Sequence, residues 1–185
     1  MIAIRAAVPA DAEAIAAIYG PHVLAGVATF EEARPDGREM ARRMAGAGGS
    51  HPWLVATGGE AGDVFAFACA APFHARAAYR WTVETTVYVS DAMQRRGAGR
   101  LLTHALVHTL AAQGFAQAIA RIALPNDASV ALHETMGFAQ TGVHHGVGCK
   151  HGRWIDVGLW QRGLAVAGPS PAEPKPFAEV GVVRA

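Results

Sequence analysis

The residues from Trp81 to Leu102, W-T-V-E-T-T-V-Y-V-S-D-A-M-Q-R-R-G-A-G-R-L-L, carry most of the chemistry legible in the chain. Trp81, Thr82, Val83, Thr85, Thr86, Val87, Tyr88 and Val89 suit a pleated, half-buried strand. Ser90-Asp91 ends that strand. Gln94-Arg95-Arg96-Gly97-Ala98-Gly99 then opens a helix whose Leu101, Leu102, Ala105, Leu106 and Leu110 recur at helical spacing. The first N–H groups of a helix lack intrahelical acceptors, and the helix dipole adds roughly half a positive charge there. Such a turn seats a diphosphate, and Arg95 and Arg96 add charge. Its spacing is neither G-x-G-x-x-G nor a P-loop, so a plain turn also explains the glycines taken alone. Glu84, a lone carboxylate in an apolar strand, is the candidate general base. Burial raises the pKa of such a group toward the range where a base is useful. A structural ion pair with a nearby arginine is its alternative role.

The elements that must position these residues follow from the rest of the 185-residue chain, which is long enough for one domain with a substantial core. Strands are predicted at Ile2–Arg5, Trp53–Thr57, Asp63–Ala71, Ala116–Leu124, Ala139–Gly148 and Arg153–Arg162. Helices are predicted from Pro9-Ala10-Asp11 to a stop at Gly20-Pro21, from Asp36 to Ala45, from Gly97 to a cap at Gly114, and from Ala128 to Met136. Ile15, Ile18, Tyr19, Met40 and Met44 are expected core. The order β-α-α-β-β-β-α-β-α-β-β makes an α/β chain with a mixed sheet. From Gly168 onward the composition shifts to P-S-P-A-E-P-K-P, and a domain over 1–163 with a loose tail over 164–185 is expected.

Sixteen basic against fifteen acidic residues, net charge +1, give no basic patch for nucleic acid. No apolar run reaches the ~18 residues of a membrane span, and the N-terminus has no secretory h-region. Cys69 and Cys149 form neither a disulfide framework nor a metal-ligand spacing, which fits a reduced, cytoplasmic setting. His104 and His108 stand one helical turn apart. Ala105 occupies the place of a zinc-helix glutamate and no third ligand is placed, so an exposed helix face is expected and no metal.

The run V-Y-V-x-x-x-x-Q-R-R-G-x-G resembles the pyrophosphate-binding signature of the GCN5-related N-acetyltransferases (GNAT). Leu132-His133-Glu134-Thr135-Met136-Gly137-Phe138 is similar to their closing helix. Within that superfamily Tyr79–Val89, Leu124-Pro125-Asn126-Asp127, Lys150-His151-Gly152, Trp154 and Asp156-Val157-Gly158 resemble the branch acting on phosphinothricin, methionine sulfoximine and methionine sulfone. The resemblance spans residues 2 to 163. One departure is Cys149, where that branch usually carries tyrosine, and this puts the substrate range in question.

The resemblance implies a GNAT fold, acetyl-CoA as co-substrate and a small amino acid as acceptor. It implies Glu84 as general base, and His133 as acid, second base or structural prop. Arg95, Arg96, Gly97, Ala98, Gly99 and Arg100 are implied to hold the pyrophosphate. Val87, Tyr88 and Val89 are implied to pair with pantetheine along a strand splayed by a bulge. Asn126 is assigned to pantetheine or to a plain helix cap. Arg76 is assigned to the acceptor carboxylate, Thr29 and Phe30 to its side-chain end, and Lys150 and His151 to the cleft or to the last hairpin. A homodimer is also implied. Two rivals remain: a different acceptor, such as a protein N-terminus or an aminoglycoside, and a non-catalytic acyl-CoA sensor.

Overall fold

In the computed structural model, which describes residues 2–59, 62–165, 168–169 and 171–183, the apolar runs of the sequence assemble into a single mixed sheet. Its strands are β1 (Ala3–Ala6), β2 (Trp53–Gly58), β3 (Asp63–Pro72), β4 (Thr82–Val89), β5 (Gln117–Leu124), β6 (Ala139–Lys150) and β7 (Arg153–Gly163). They lie in the order β1-β2-β3-β4-β5-β7-β6. The helices are α1 (Ala12–Leu24), α2 (Gly37–Gly46), α3 (Ala98–Gln113), α4 (Asp127–Thr135) and α5 (Phe177–Val180). None of the described helices is long and apolar enough to cross a membrane.

Period-two alternation divides the side chains of the central strands between two cores. Val55 and Phe67 meet Ile15, Ile18, Tyr19 and Val23 of α1 and Met40 of α2. Leu54, Ala66, Ala68, Val83 and Ala118 meet Leu102, Leu106 and Leu110 of α3 on the opposite face. The α1–α2 connection and the α3 start therefore address opposite sides of one sheet.

Among the described residues the parallel pair is β4–β5, and it is brief. Thr82, Val83 and Glu84 pair with Gln117, Ala118 and Ile119, and there the ladder stops although both strands continue. Thr85 Oγ1 donates to the Ile119 carbonyl at 3.2 Å where pairing ends. Beyond that point β4 stays with β3 as far as Val89 and β5 stays with β7 as far as Leu124, so the sheet opens into a wedge with Glu84 at its apex. The expected bulge in β4 is absent: its register with β3 runs unshifted from Val83 to Val89. The opening comes from divergence of two strands, each held on its outer side.

One further expectation is corrected. Gly20-Pro21 does not stop α1, which continues to Leu24 with Pro21 inside it. Pro21 forfeits one backbone donor, but Val23 extends the buried stripe of Ile15, Ile18 and Tyr19 past it. The C-terminal segment makes contacts with the domain. Lys175 N donates to Gln113 O at 2.7 Å, Trp81 Nε1 to Ala172 O at 2.8 Å and Val183 N to Thr109 Oγ1 at 3.0 Å. Phe177 and Val182 pack on the α3 core. The Pro-rich composition conceals these few apolar residues.

Candidate active site

Glu84 shares the α1–α2 face of β4 with Tyr88, because Val83, Val87 and Val89 take the α3 face. Its carboxylate is not isolated in apolar surroundings: the nearby arginine that the alternative role called for is present. Arg121, on β5 just beyond the last paired residue, grips it bidentately, Nε to Oε1 at 2.7 Å and Nη2 to Oε2. The Glu84 side chain keeps 21% of its surface exposed and Arg121 57%. The pair thus spans the apex of the wedge and opens to solvent.

At the open end, Ser90 to Gln94 leads into the start of α3. Arg95 (φ 58°) and Gly97 (φ 85°) both take left-handed backbone conformations, which fold the chain tightly before the helix. Only glycine adopts this at little cost, and the space around Gly97 is open. Leu101 N is the first to close a helical turn, on Gly97 O at 3.0 Å. The N–H groups of Ala98, Gly99 and Arg100 have no protein acceptor among the described residues, and no side chain caps this helix. Gly99 lies against Val89 and Leu132, so the α3 start, the end of β4 and α4 meet at one place.

Asn126 is the N-cap of α4: its Oδ1 accepts from Ser129 N at 3.1 Å, which satisfies the capping role and leaves the amide NH2 available. His133 is 4% exposed, with Nδ1 2.8 Å from the Ser129 carbonyl and the ring edge-on to Phe138. A carbonyl accepts, so Nδ1 carries the hydrogen and Nε2 is the free acceptor. Burial holds this imidazole below its ordinary pKa, with the Ser129 carbonyl opposing. That lowering works against the protonated form that a proton-donor role would use.

On the Glu84 face, residues 28–31 cross the mouth of the wedge. Tyr88 OH donates to Ala28 O at 3.3 Å, and Tyr19 OH bonds Thr29 Oγ1 at 2.6 Å and donates to Glu31 Oε1 at 2.9 Å. Arg43 holds both oxygens of Glu31, at 2.8 and 2.9 Å, keeping its carboxyl below the usual range. Lys150, 3% exposed, reaches from β6 and donates to Thr29 O at 2.8 Å. Burial lowers its ammonium pKa against the opposing pull of Glu32 and Glu31. Phe30 lies over Gly148 of β6.

Of the other residues singled out, His151 sits exposed in the β6–β7 turn with φ 51°. Arg76 is exposed in the β3–β4 connector, and its guanidinium is unpaired among the described residues. Cys149 alternates with Gly148 and Lys150, so it faces away from Phe30, beside Trp154. His104 and His108, half-buried rather than exposed, line a groove with Arg162 and Met136. Sequence reasoning missed Arg121, Tyr19 and Gly148. Only Arg121 had a signal, as a charge in an otherwise apolar strand.

A mixed sheet opened between its parallel strands, with unpaired helix-start N–H groups on one face and an acid–arginine pair on the other, is the architecture of acyl-CoA N-acyltransferases. Residues 4–159 match the acetyltransferase (GNAT) domain, and the chain belongs to that family as an acetyl-CoA-dependent N-acetyltransferase. It is 40% identical over 179 residues to the phosphinothricin N-acetyltransferase of Streptomyces viridochromogenes, covering 97% of this chain and 94% of that one. It is 36% identical over 165 residues to the L-methionine sulfoximine/L-methionine sulfone acetyltransferase of Pseudomonas aeruginosa, covering 87% and 94%. The crystal structure of a GNAT superfamily phosphinothricin acetyltransferase from Sinorhizobium meliloti in complex with AcCoA superposes with TM-score 0.88 at 40% identity, covering 93% and 94%.

Proposed function

We propose that this enzyme moves acetyl from acetyl-CoA directly to the α-amine of a glutamate-like or methionine-derived small molecule, with phosphinothricin, methionine sulfoximine and methionine sulfone as its acceptors. The observation that carries the reading is the Glu84–Arg121 pair at the wedge apex, open toward the loop over residues 28–31. The similarity to acetyltransferases named for those compounds supports the acceptor class.

In this reading the N–H groups of Gly97, Ala98, Gly99 and Arg100 would hold the diphosphate of coenzyme A, helped by Arg95 and Arg96. The unpaired edge of Val87, Tyr88 and Val89 and the free amide of Asn126 would hold the pantetheine. Acetyl-CoA supplies the activated thioester. Glu84 accepts the proton that the acceptor ammonium must lose, since an amino-acid amine with a pKa of about 8 or above is mostly protonated at neutral pH. Arg121 aims the carboxylate, and His133 props α4. Arg76 reads the acceptor carboxylate bidentately.

Transfer without an acyl-enzyme fits the cysteines. Burial pushes the Cys69 thiol up to about 12, out of nucleophilic range at neutral pH, and Cys149 faces away from the loop. An aminoglycoside is disfavoured because Glu31 and Glu39, in the acidic groove beside the loop, are both paired to Arg43.

A panel of amines assayed by release of free thiol tests the reading. Phosphinothricin and the two methionine derivatives are expected to turn over fastest. Turnover of peptide N-termini or aminoglycosides, with those three at background, would overturn it.

A further inference from the structure

The loop over residues 28–31 is fixed to the sheet at several backbone and side-chain points, and one of them requires a missing side chain. A Cβ built on Gly148 would lie 2.0 Å from Phe30 Cε2, 2.5 Å from Cζ and 2.6 Å from Cδ2. The ring therefore occupies the space that any other residue at 148 would fill. Gly148 has no left-handed backbone to explain it, so glycine is required here by packing, not by conformation. The loop backbone around Phe30 cannot easily retreat. Lys150 Nζ holds Thr29 O at 2.8 Å, Tyr88 OH holds Ala28 O at 3.3 Å, and Glu31 is clamped by Tyr19 and Arg43.

Gly148, Lys150 and Tyr88 lie toward the open end of the wedge. Gly148 pairs with Ile155, one residue before the Asp156 that faces Leu124, the last residue of β5, and Tyr88 precedes the last residue of β4. The loop accordingly bridges β4 and β6 over the gap whose apex holds Glu84. Phe30 keeps 40% of its surface exposed, so its free side looks outward from β6 while its other side rests on Gly148.

We propose that Gly148 is a specificity-determining position: the bare strand lets the Phe30 ring lie flat on β6, and the depth of that seat sets the room left for the acceptor side chain. A methyl at 148 displaces the end of the ring, not the pinned backbone, and the ring moves away from β6 into the space above the wedge. This deepens the proposed function and rests on it for the side of the sheet at which the acceptor enters.

The test is a double-mutant cycle of Gly148→Ala and Phe30→Ala, with kcat/KM measured over a graded series of acceptors and the KM for acetyl-CoA measured in parallel. Gly148→Ala is expected to lower kcat/KM for the bulkiest acceptor relative to the smallest by about tenfold or more, the effect of a methylene-scale change in a pocket. The KM for acetyl-CoA stays the same. In the Phe30→Ala background the same substitution changes the ratio by less than about twofold, because nothing remains to be displaced. An unchanged acceptor ratio in Gly148→Ala, or an equal effect with and without Phe30, overturns the proposal. If Gly148→Ala does not fold, Phe30→Leu and Phe30→Ala alone must widen the acceptor range, and failure to do so overturns it too. The series uses whichever amines the wild-type enzyme acetylates. A wrong acceptor class then shows in the wild-type panel, while a wrong role for Gly148 shows only in the cycle.

Discussion

Replacing Glu84 with glutamine separates a catalytic carboxylate from a structural one, because the two roles predict losses of different size in different assays. The ion pair with Arg121 is bidentate, but the guanidinium is 57% exposed and therefore screened. Such a pair contributes about 1 kcal/mol at most. In a chain of this size that corresponds to a fall in Tm of about 2–4 °C. Glutamine keeps one oxygen for Arg121, so the observed fall should sit at the lower end. A general base contributes about 10²–10⁴-fold to the rate. That is about 3–5 kcal/mol of barrier, several times the stability effect. Turnover of E84Q at pH 7 is thus expected to drop by at least about a hundredfold while its melting curve barely moves. The pH–rate profile adds a second signature. Without the base only acceptor already present as free amine can react, so the residual rate climbs about tenfold per pH unit until the amine pKa, about 8 or above. Stopped-flow or steady-state thiol release from pH 6 to 9 reads both. Turnover within a few-fold of wild type, or an E84Q profile parallel to that of wild type, refutes the assignment and leaves Glu84 as half of a structural pair.

Two further outcomes follow from the backbone and the buried histidine. Gly97→Ala forces a Cβ into a left-handed position with open space around it, so the cost is conformational. About 1–2 kcal/mol is expected, seen as a Tm lowered by about 2–8 °C, together with a raised KM for acetyl-CoA and an unchanged KM for the acceptor; calorimetry and initial rates check this. His133, buried, has a folded pKa below its unfolded value of about 6.5. The unfolded chain therefore binds the extra proton first, and stability present above about pH 6.5 is lost as pH falls toward the folded value. In His133→Gln that loss is absent, so the Tm difference between wild type and variant should shift against wild type on going from pH 7.5 to 5. His51, also lowered by burial, is common to both proteins and cancels.

Much of the site's local structure was legible because it is written within a few residues. The strand from Thr82, the turn at Gly97, the helix behind it and the left-handed cap at Gly114 all appear where spacing and residue type put them. Asn126 caps its helix, one of the two roles its position suggested, and Asp36 caps α2. The stop at Gly20-Pro21 failed for the converse reason: a local breaker was overridden by a buried stripe that continues past it. The tail shows the same limit. Its composition is that of a loose segment, while Gln113, Thr109 and the α3 core supply partners that no window around residue 175 contains.

By itself the sequence determined the two ends of the chemistry, a carboxylate in a strand and a helix start rich in free N–H groups, since each depends on neighbours along the chain. Tertiary structure alone decided that Arg121, distant in sequence, closes on Glu84, that β4 and β5 part after three paired residues, and that Phe30 needs the bareness of Gly148. Those are facts about which strand lies beside which and where their ladder ends. They are set by the balance of two cores on opposite faces of one sheet, and no periodicity within a single strand encodes that balance.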